Sequence, residues 1–497
     1  MRGWRVATLV GLGLLAVGAY LAWAGTQGGL GFPLDDAWIH QTYARNLACT
    51  GRWTYTGGRL SAGSTSPLWT LLLVPGHWLG VDPRAWAYAL GTALLVGSGW
   101  LAWRVGRSLG LPQTAAWPLG VLVVAEWHMV WAAVSGMETM LCAFLALALF
   151  SRYLRTAARS RWTVRQAACL GLLAGFLVLT RPDGVLLAGW LGLDVALRLA
   201  RRERPSRLAG LAAAALVGLL LPLAPYLAAN WAASGTLWPN TFYAKQAEYQ
   251  EVTRAFPLWA RLLRLGATPW VGAQVLLLPG LVALAWPGWR GPRRALAPLA
   301  GWALSVIAVY AFRLPVTYQH GRYLMPIIPA FLILGGVGCW RWVRPRAEGM
   351  LHRAASRAWL LAYAACALAF LALGARAYHL DTRFIETELV ATARWLQAHT
   401  PEDALIAAHD IGAIGYFAGR DLVDLAGLVS PEVIPFIRDE DALLWYILAR
   451  GADYLVTFPS WYPQMVQDPR LQPVFRTGAP WAPMLGGENM VVYQIAP

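Results

Sequence analysis

Charge is scarce in this chain: charged residues make up 13% of 497 positions, only 26 of them Asp or Glu, while hydrophobic residues reach 58%. Soluble domains carry about 25% charged and about 45–50% apolar residues, so this composition excludes an ordinary soluble fold and implies a polytopic membrane protein. Cysteine is rarer still. Of five, Cys142, Cys169, Cys339 and Cys366 fall inside apolar runs and Cys49 alone lies in a polar connection, so no disulfide framework is implied. The polar C-terminal part holds no nucleotide fingerprint, zinc-ligand spacing or nucleophile elbow. Lysine is reduced to one residue, Lys245, among 41 lysines and arginines. The net charge of +15 would fit nucleic acid in a soluble chain. Here the arginines fall in short connections between apolar runs, where they set membrane orientation, and nucleic acid is discounted as a partner.

A helical span needs about 20 apolar residues. About eleven runs qualify, some only with their flanks: Val6–Ala24, Ala85–Trp103, Gln113–Val134, Met137–Phe150, Gln166–Thr180, Gly184–Leu199, Leu208–Ala228, Thr268–Pro287, Ala295–Phe312, Tyr323–Trp340 and Ala358–Ala377. The first is signal-like but longer than a usual signal core, and is read as a retained span. Residues 25–84 then form an outer loop. Its apolar piece Pro67–Leu79 is short and broken by Pro75 and Gly76, so it is read as re-entrant or interfacial.

With that piece not crossing, the inner connections receive Arg104 and Arg107; Arg152, Arg155, Arg159, Arg161 and Arg165; Arg198, Arg201, Arg202, Arg204 and Arg207; Arg290, Arg293 and Arg294; and Arg341, Arg344, Arg346, Arg353 and Arg357. Basic inner loops are what the positive-inside rule requires. The expected topology is a multi-pass cell-membrane protein with its N-terminus cytoplasmic and its C-terminal part extracytoplasmic.

After Ala377 the composition turns soluble. Thr382–His399 and Asp439–Arg450 read as helices, and Ala404–Ala408, Tyr454–Phe458 and Met490–Ile495 as strands. The expectation is a membrane domain over residues 1–377 and an extracytoplasmic α/β domain over 378–497. Its segment HDIGAIGYFAGRDLVDLAGLVSPE, ending at Glu432, reads as strand, Gly-rich turn and second strand.

The outer side collects Asp35, Asp36, Glu138, Arg181, Asp183, Asn240, Lys245, Arg313, His320 and Arg322. Ionisable groups at a membrane boundary are costly, and several converging from different spans imply a polar cavity opening to one side. Asp35 and Asp36 precede AWIHQTYARNL, which reads as a helix on the membrane surface. One aspartate would cap it. The other then faces the cavity, and if the two approach each other their titrations couple. Arg181 and Asp183 flank Pro182 in a tight turn, where an ion pair is the default, and Glu138 compensates a helix N-terminus.

The run DDAWIHQTYARNLACTGRWTYTGG with GSTSPLWT resembles the first outer loop of the C-type (GT-C) membrane glycosyltransferases, and more narrowly that of the mycobacterial terminal β-(1→2)-arabinofuranosyltransferase family. The likeness continues in order through SGMETML (Ser135–Leu141), LTRPDG (Leu179–Gly184), LWPNTFYAK (Leu237–Lys245), HGRYLMPIIP (His320–Pro329) and DIGAIGYFAGRDLVDLAGL (Asp410–Leu428). Ser66 stands where that family favours asparagine before the proline of its TNPLW-like segment.

The resemblance implies inverting transfer of a sugar, arabinofuranose by the narrower likeness, from a polyprenyl-phosphate donor to a glycan, lipid or protein acceptor at the outer face of the bilayer. A carboxylate would take the acceptor proton, with Asp35 the first choice and Asp36 the second. Lys245, Arg322 and His320 are the expected donor-phosphate ligands, an ammonium acting as a point charge and a guanidinium as a fork. Glu138, Arg181, Asp183, Asn240 and Tyr243 are secondary candidates. An acidic pair beside a phosphate is also a place for a divalent metal, although no compact ligand cluster accompanies it. A transporter or flippase would also use boundary ionisables, but the paired broken spans of a transporter repeat are not evident. Within enzymes, a protein O-mannosyltransferase or a lipid A aminoarabinose transferase would share the architecture.

Overall fold

The computed structural model describes residues 3–496 apart from 27, 57, 59, 160, 201–202, 287–291, 341 and 344–348. Arg201, Arg202, Arg290, Arg341, Arg344 and Arg346 of the basic connections lie outside the described residues. Among those described, seven helices are long and apolar enough to cross a membrane, and up to nine if two bent pairs each count as one span. Within the described residues the eleven apolar runs fall on helices, but fewer of them are straight spans. Gln113–Val124 and Trp127–Ala133 meet at 54° where Glu126 turns its side chain to the Met129 N–H and starts a new helix. Leu258–Trp270 and Ala273–Ala285 meet at 98° beside Gly272, whose φ of 146° only glycine adopts readily. Val164–Thr180 and Val185–Leu199 have 17 and 15 residues, split by the Arg181–Pro182–Asp183 turn.

Small residues let these helices approach closely, as they do in membranes generally. A Cβ on Gly171 would lie 1.9 Å from the Ala215 carbonyl oxygen, and one on Gly218 would lie 2.3 Å from that of Ala168. This is the seam between Val164–Thr180 and the helix Pro205–Ser234.

The loop expected on the outer side, residues 25–84, folds into two short helices, Asp36–Thr50 and Pro67–Trp78. At 12 residues the second reaches about 18 Å, too short for a bilayer core of about 30 Å. The two helices are stitched together by His40 Nδ1 to Thr70 Oγ1 at 3.1 Å and His77 Nε2 to Gln41 Oε1 at 2.9 Å.

The last span runs straight into the C-terminal part. Met350–Phe384, a π-helical turn at Ile385–Val390 and Ala391–His399 form one 50-residue rod. Five strands follow: β1 Leu405–Ala408, β2 Asp421–Asp424, β3 Tyr454–Thr457, β4 Leu471–Arg476 and β5 Val491–Ile495, in spatial order β2-β1-β3-β5-β4. β1 pairs in parallel with β2 and β3, whereas β5 is antiparallel to both β3 and β4. Of these, β4 has no counterpart in the sequence reading, because its residues Gln472, Pro473 and Val474 are exposed and do not alternate. The helix Glu440–Ala449, capped by Asp439, lies within the expected span.

Candidate active site at the junction of two cavities

The carboxyl groups of Asp35 and Asp36 leave the chain in different directions, as consecutive side chains entering a helix must. Asp35 does not cap its own helix. Its Oδ2 accepts the Gly412 N–H at 2.6 Å and its Oδ1 accepts the Ala413 N–H at 2.7 Å, so it caps the first turn of the helical segment 412–418. Around it, Tyr55 donates its hydroxyl to the Ile411 carbonyl at 2.6 Å, and Arg45 donates to the Tyr416 and Gly415 carbonyls. Trp38 packs on Tyr416 and Phe417. These contacts seat the C-terminal part on the outer loop. Burial, reinforced by the neighbouring charge of Asp36, pushes the Asp35 carboxyl up to about 7 against the two backbone N–H groups that favour its ionised form.

Asp36 turns the other way. Arg322 Nη2 donates to Asp36 Oδ2 at 2.6 Å and Lys245 Nζ stands 3.8 Å from the same oxygen. Burial works to raise this carboxyl, but the two cations outweigh it and hold Asp36 well below the usual carboxylate range. Tyr323 completes the cluster, its hydroxyl receiving Lys245 Nζ at 2.7 Å and Arg322 Nη2 at 3.1 Å. Arg322 itself is 5% exposed, and its Nε and Nη1 have no hydrogen-bond partner among the described residues. It comes directly after three consecutive left-handed residues, Gln319, His320 and Gly321 at φ 51°, 59° and 70°. Two of these are not glycine, a strained conformation of the kind that collects at ligand sites.

Asp36, Ile39, Lys245, Arg322 and Leu428 form the wall common to two cavities, of about 390 and 1090 Å³. The smaller is rimmed by Val185, Leu186 and Val309, with Val185 and Val309 exposed on the flank of the helices. Behind them Arg181 links Glu138 at 3.3 Å and Asp183 at 3.2 Å and donates to Tyr310. Tyr310 donates in turn to Asp183 at 2.8 Å, and His40 stands 3.5 Å from Glu138. The larger cavity lies between the outer loop and the C-terminal sheet, and Asp35, His320, Asp381, His409, Asp410 and Trp461 border it.

The candidate residues therefore divide. Asp36, Lys245 and Arg322 meet at one point, and Glu138, Arg181 and Asp183 line the smaller cavity as one network. His320 lines the larger cavity instead, with Nε2 2.8 Å from Asp381 Oδ2. Asn240 is a tie between segments, its N–H bonding the Ala62 carbonyl and its side-chain amide the Leu428 carbonyl. Tyr243 borders neither cavity. Residue-by-residue reading missed Tyr323, Tyr310, His40, Asp381 and the pair His409–Asp410. The signal for Tyr323 and Asp410 was their place inside HGRYLMPIIP and HDIGAIG. Among the described residues no group of three or more His, Cys, Asp or Glu could hold a metal ion, and Asp36 is already engaged by two cations.

Comparison with known proteins gives the chain a fold and a relative. Residues 357–493 match a family described as a domain of unknown function (DUF8728). Over 361 residues the chain is 28% identical to the terminal β-(1→2)-arabinofuranosyltransferase of Mycobacterium tuberculosis, covering 66% of this chain and 55% of that protein. The chain thus spans about half the length of that curated relative. Among solved structures, ArnT from Cupriavidus metallidurans bound to undecaprenyl phosphate superposes with a TM-score of 0.60 at 17% identity, over 99% of this chain and 98% of that one. The Archaeoglobus fulgidus oligosaccharyltransferase tethered to an acceptor peptide gives 0.63 at 10% identity, over 100% and 74%. The mycobacterial arabinofuranosyltransferase AftD gives 0.54 at 18% identity, over 100% and 42%. This chain is a polytopic membrane protein with the fold of the C-type (GT-C) membrane glycosyltransferases, and its sequence is similar to that of the mycobacterial terminal arabinofuranosyltransferase.

Proposed function

We propose that the chain is an inverting glycosyltransferase that moves a sugar from a polyprenyl-phosphate donor to an acceptor hydroxyl at the outer membrane face, with its N-terminus cytoplasmic and its sheet extracytoplasmic. The observation that carries this is Arg322: a buried guanidinium with two nitrogens unpartnered among the described residues, beside the only lysine of the chain, at the meeting point of two cavities. Donors left unpaired in a buried site are costly unless a ligand takes them up, and a phosphate matches the guanidinium fork. The apolar rim of the smaller cavity suits the first isoprene units of such a donor.

The acceptor hydroxyl then approaches from the larger cavity. Its oxygen attacks the anomeric carbon, the bond from that carbon to the phosphate oxygen breaks, and polyprenyl phosphate leaves with the electron pair, stabilised by Arg322 and Lys245. The proton passes to the Asp35–Asp36 pair. Asp36 is the member beside both cavities, since both oxygens of Asp35 already hold backbone N–H groups. Free of donor, Asp36 is a weak base. A phosphate on Arg322 and Lys245 adds negative charge beside it and raises its pKa, so donor binding prepares the base.

Arabinofuranose is the first sugar to try, on the likeness to the arabinofuranosyltransferase. The test is the purified protein with a radiolabelled panel of polyprenyl-phosphate sugars, alongside Asp35→Asn and Asp36→Asn. Transfer that is lost in Asp36→Asn supports the reading. Transfer undiminished in both variants removes the pair as base. Consumption of no donor, with a substrate gradient dissipated across vesicles, would make the protein a transporter.

A further inference from the structure

Each parallel strand ends at the larger cavity and delivers its next residues to the cavity wall: His409 and Asp410 after β1, Ala426 and Leu428 after β2, and Phe458, Trp461 and Tyr462 after β3. Because β1 lies between β2 and β3, the chain leaves it where the strand order reverses direction. In open α/β sheets that crevice is where ligands bind. Among the described residues the Asp410 carboxyl has no hydrogen bond and no ion pair, although it borders a cavity walled by named polar groups. Its neighbour is fixed in place: His409 Nδ1 lies 2.7 Å from the Tyr462 hydroxyl, its Nε2 3.8 Å from Glu248, and its ring meets Trp461 edge-on at 4.8 Å.

We propose that Asp410, with His409 beside it, is the subsite that holds the hydroxyl groups of the acceptor, so that the C-terminal sheet supplies the acceptor half of the active site. The inference rests on the glycosyl-transfer reading and adds the group that touches the second substrate. Burial, and then the negative charges of Asp35, Asp36 and Glu248 against the positive Lys245, raise Asp410 well above the usual carboxylate range. Burial likewise lowers His409. A carboxyl accepts hydrogen bonds from a hydroxyl and, when it holds its proton, donates one as well, the complement of a hydroxyl that does both. Among the described residues no hydrogen bond or ion pair of the fold depends on its side chain.

The experiment uses full-length protein in nanodiscs, farnesyl-phosphoryl arabinofuranose as donor and an octyl arabinofuranosyl disaccharide as acceptor probe. Three quantities are read for the parent, Asp410→Ala and Asp410→Asn: acceptor Kd without donor, acceptor KM with donor, and release of farnesyl phosphate to water without acceptor. Losing one buried hydrogen bond predicts that Asp410→Ala raises Kd and KM about tenfold, more than it changes release to water. Asp410→Asn stays within about threefold, because an amide still donates and accepts. Parental acceptor binding by Asp410→Ala, no acceptor binding by the parent, or equal loss of all three readouts in both variants would each overturn the subsite. If the parent releases no farnesyl phosphate but binds the probe in an Asp410-dependent way, the subsite stands and the glycosyl-transfer reading falls.

Discussion

Asp35 and Gly412 are 377 positions apart in the chain and joined by a hydrogen bond of 2.6 Å. One carboxylate thus clamps the C-terminal sheet to the membrane domain through two backbone N–H groups, and there is no room for error on the other side. A Cβ on Gly412 would lie 2.0 Å from the Asp35 carbonyl oxygen. Asp35→Asn keeps one acceptor and turns an N–H toward an N–H, a loss of about 1–3 kcal/mol for the group left unsatisfied. Gly412→Ala must displace backbone and is the more damaging of the two. Thermal unfolding in detergent, with limited proteolysis between residues 400 and 420 as the local readout, checks both.

Buried carboxyls give this clamp a pH dependence. Asp424, fully buried with both oxygens on the Ala426 and Val429 N–H groups, is pushed up to about 6 by burial, which exceeds the lowering effect of those bonds. Asp35 lies higher, at about 7. A carboxyl whose folded pKa is raised contributes stability that is complete below its unfolded value near 4 and is lost as pH rises through the folded value. The contribution of these two carboxyls to the melting temperature is therefore expected to fall between pH 4 and pH 7. Asp424→Asn flattens the pH 4–6 part of that slope. A slope unchanged by that variant refutes the assignment.

At the junction, Asp36→Asn is expected to lower transfer about 10²–10⁴-fold, the range for a lost acid–base group, with donor affinity retained. Arg322→Lys keeps the charge but not the fork and is expected to weaken donor binding and lower kcat together. Donor binding by fluorescence quenching, beside steady-state transfer, separates the two variants.

Arg181 tests the wall of the smaller cavity. Removing it leaves Glu138 only His40 and Asp183 only Tyr310 as partners, both carboxylates being 15% exposed or less in their side chains, and breaking a buried ion pair costs about 3–5 kcal/mol. Glu138→Gln, which leaves Arg181 with Asp183 and Tyr310 as partners, costs less. Arg181→Ala that melts with the parent would show this network to be dispensable for the fold.

Single-cysteine variants probe sidedness. In a cysteine-free background, a membrane-impermeant maleimide applied to intact cells should label position 421, whose side chain is exposed, and should not label position 107. The reverse pattern inverts the topology.

What the sequence disclosed was local. Eleven apolar runs, the Asp35–Asp36 pair and the strands at Ala404–Ala408 and Tyr454–Phe458 each carry their pattern within a few residues, and periodicity reads them directly. The bends at Glu126 and Gly272 were hidden because a polar cap or a glycine inside an apolar run barely alters its hydropathy. The composition changes after Ala377, yet no Gly or Pro interrupts Arg376–His399, so the backbone continues as helix across that change. The partner of Asp35 and the company of Arg322 could not be read at all: they join segments hundreds of residues apart, and only the packing of the outer loop under the sheet brings them together.

The 50-residue rod Met350–His399 has a mechanical consequence. At 1.5 Å per residue it is about 75 Å long, well beyond the about 30 Å of a bilayer core, and β1 follows its far end. A helix tilts to match bilayer thickness, and a change of about 5° at the membrane becomes a shift of about 6 Å at the tip of a lever this long. Membrane thickness thereby becomes a dimension of the crevice between sheet and outer loop, and the Asp35 clamp is the pin that opposes its widening.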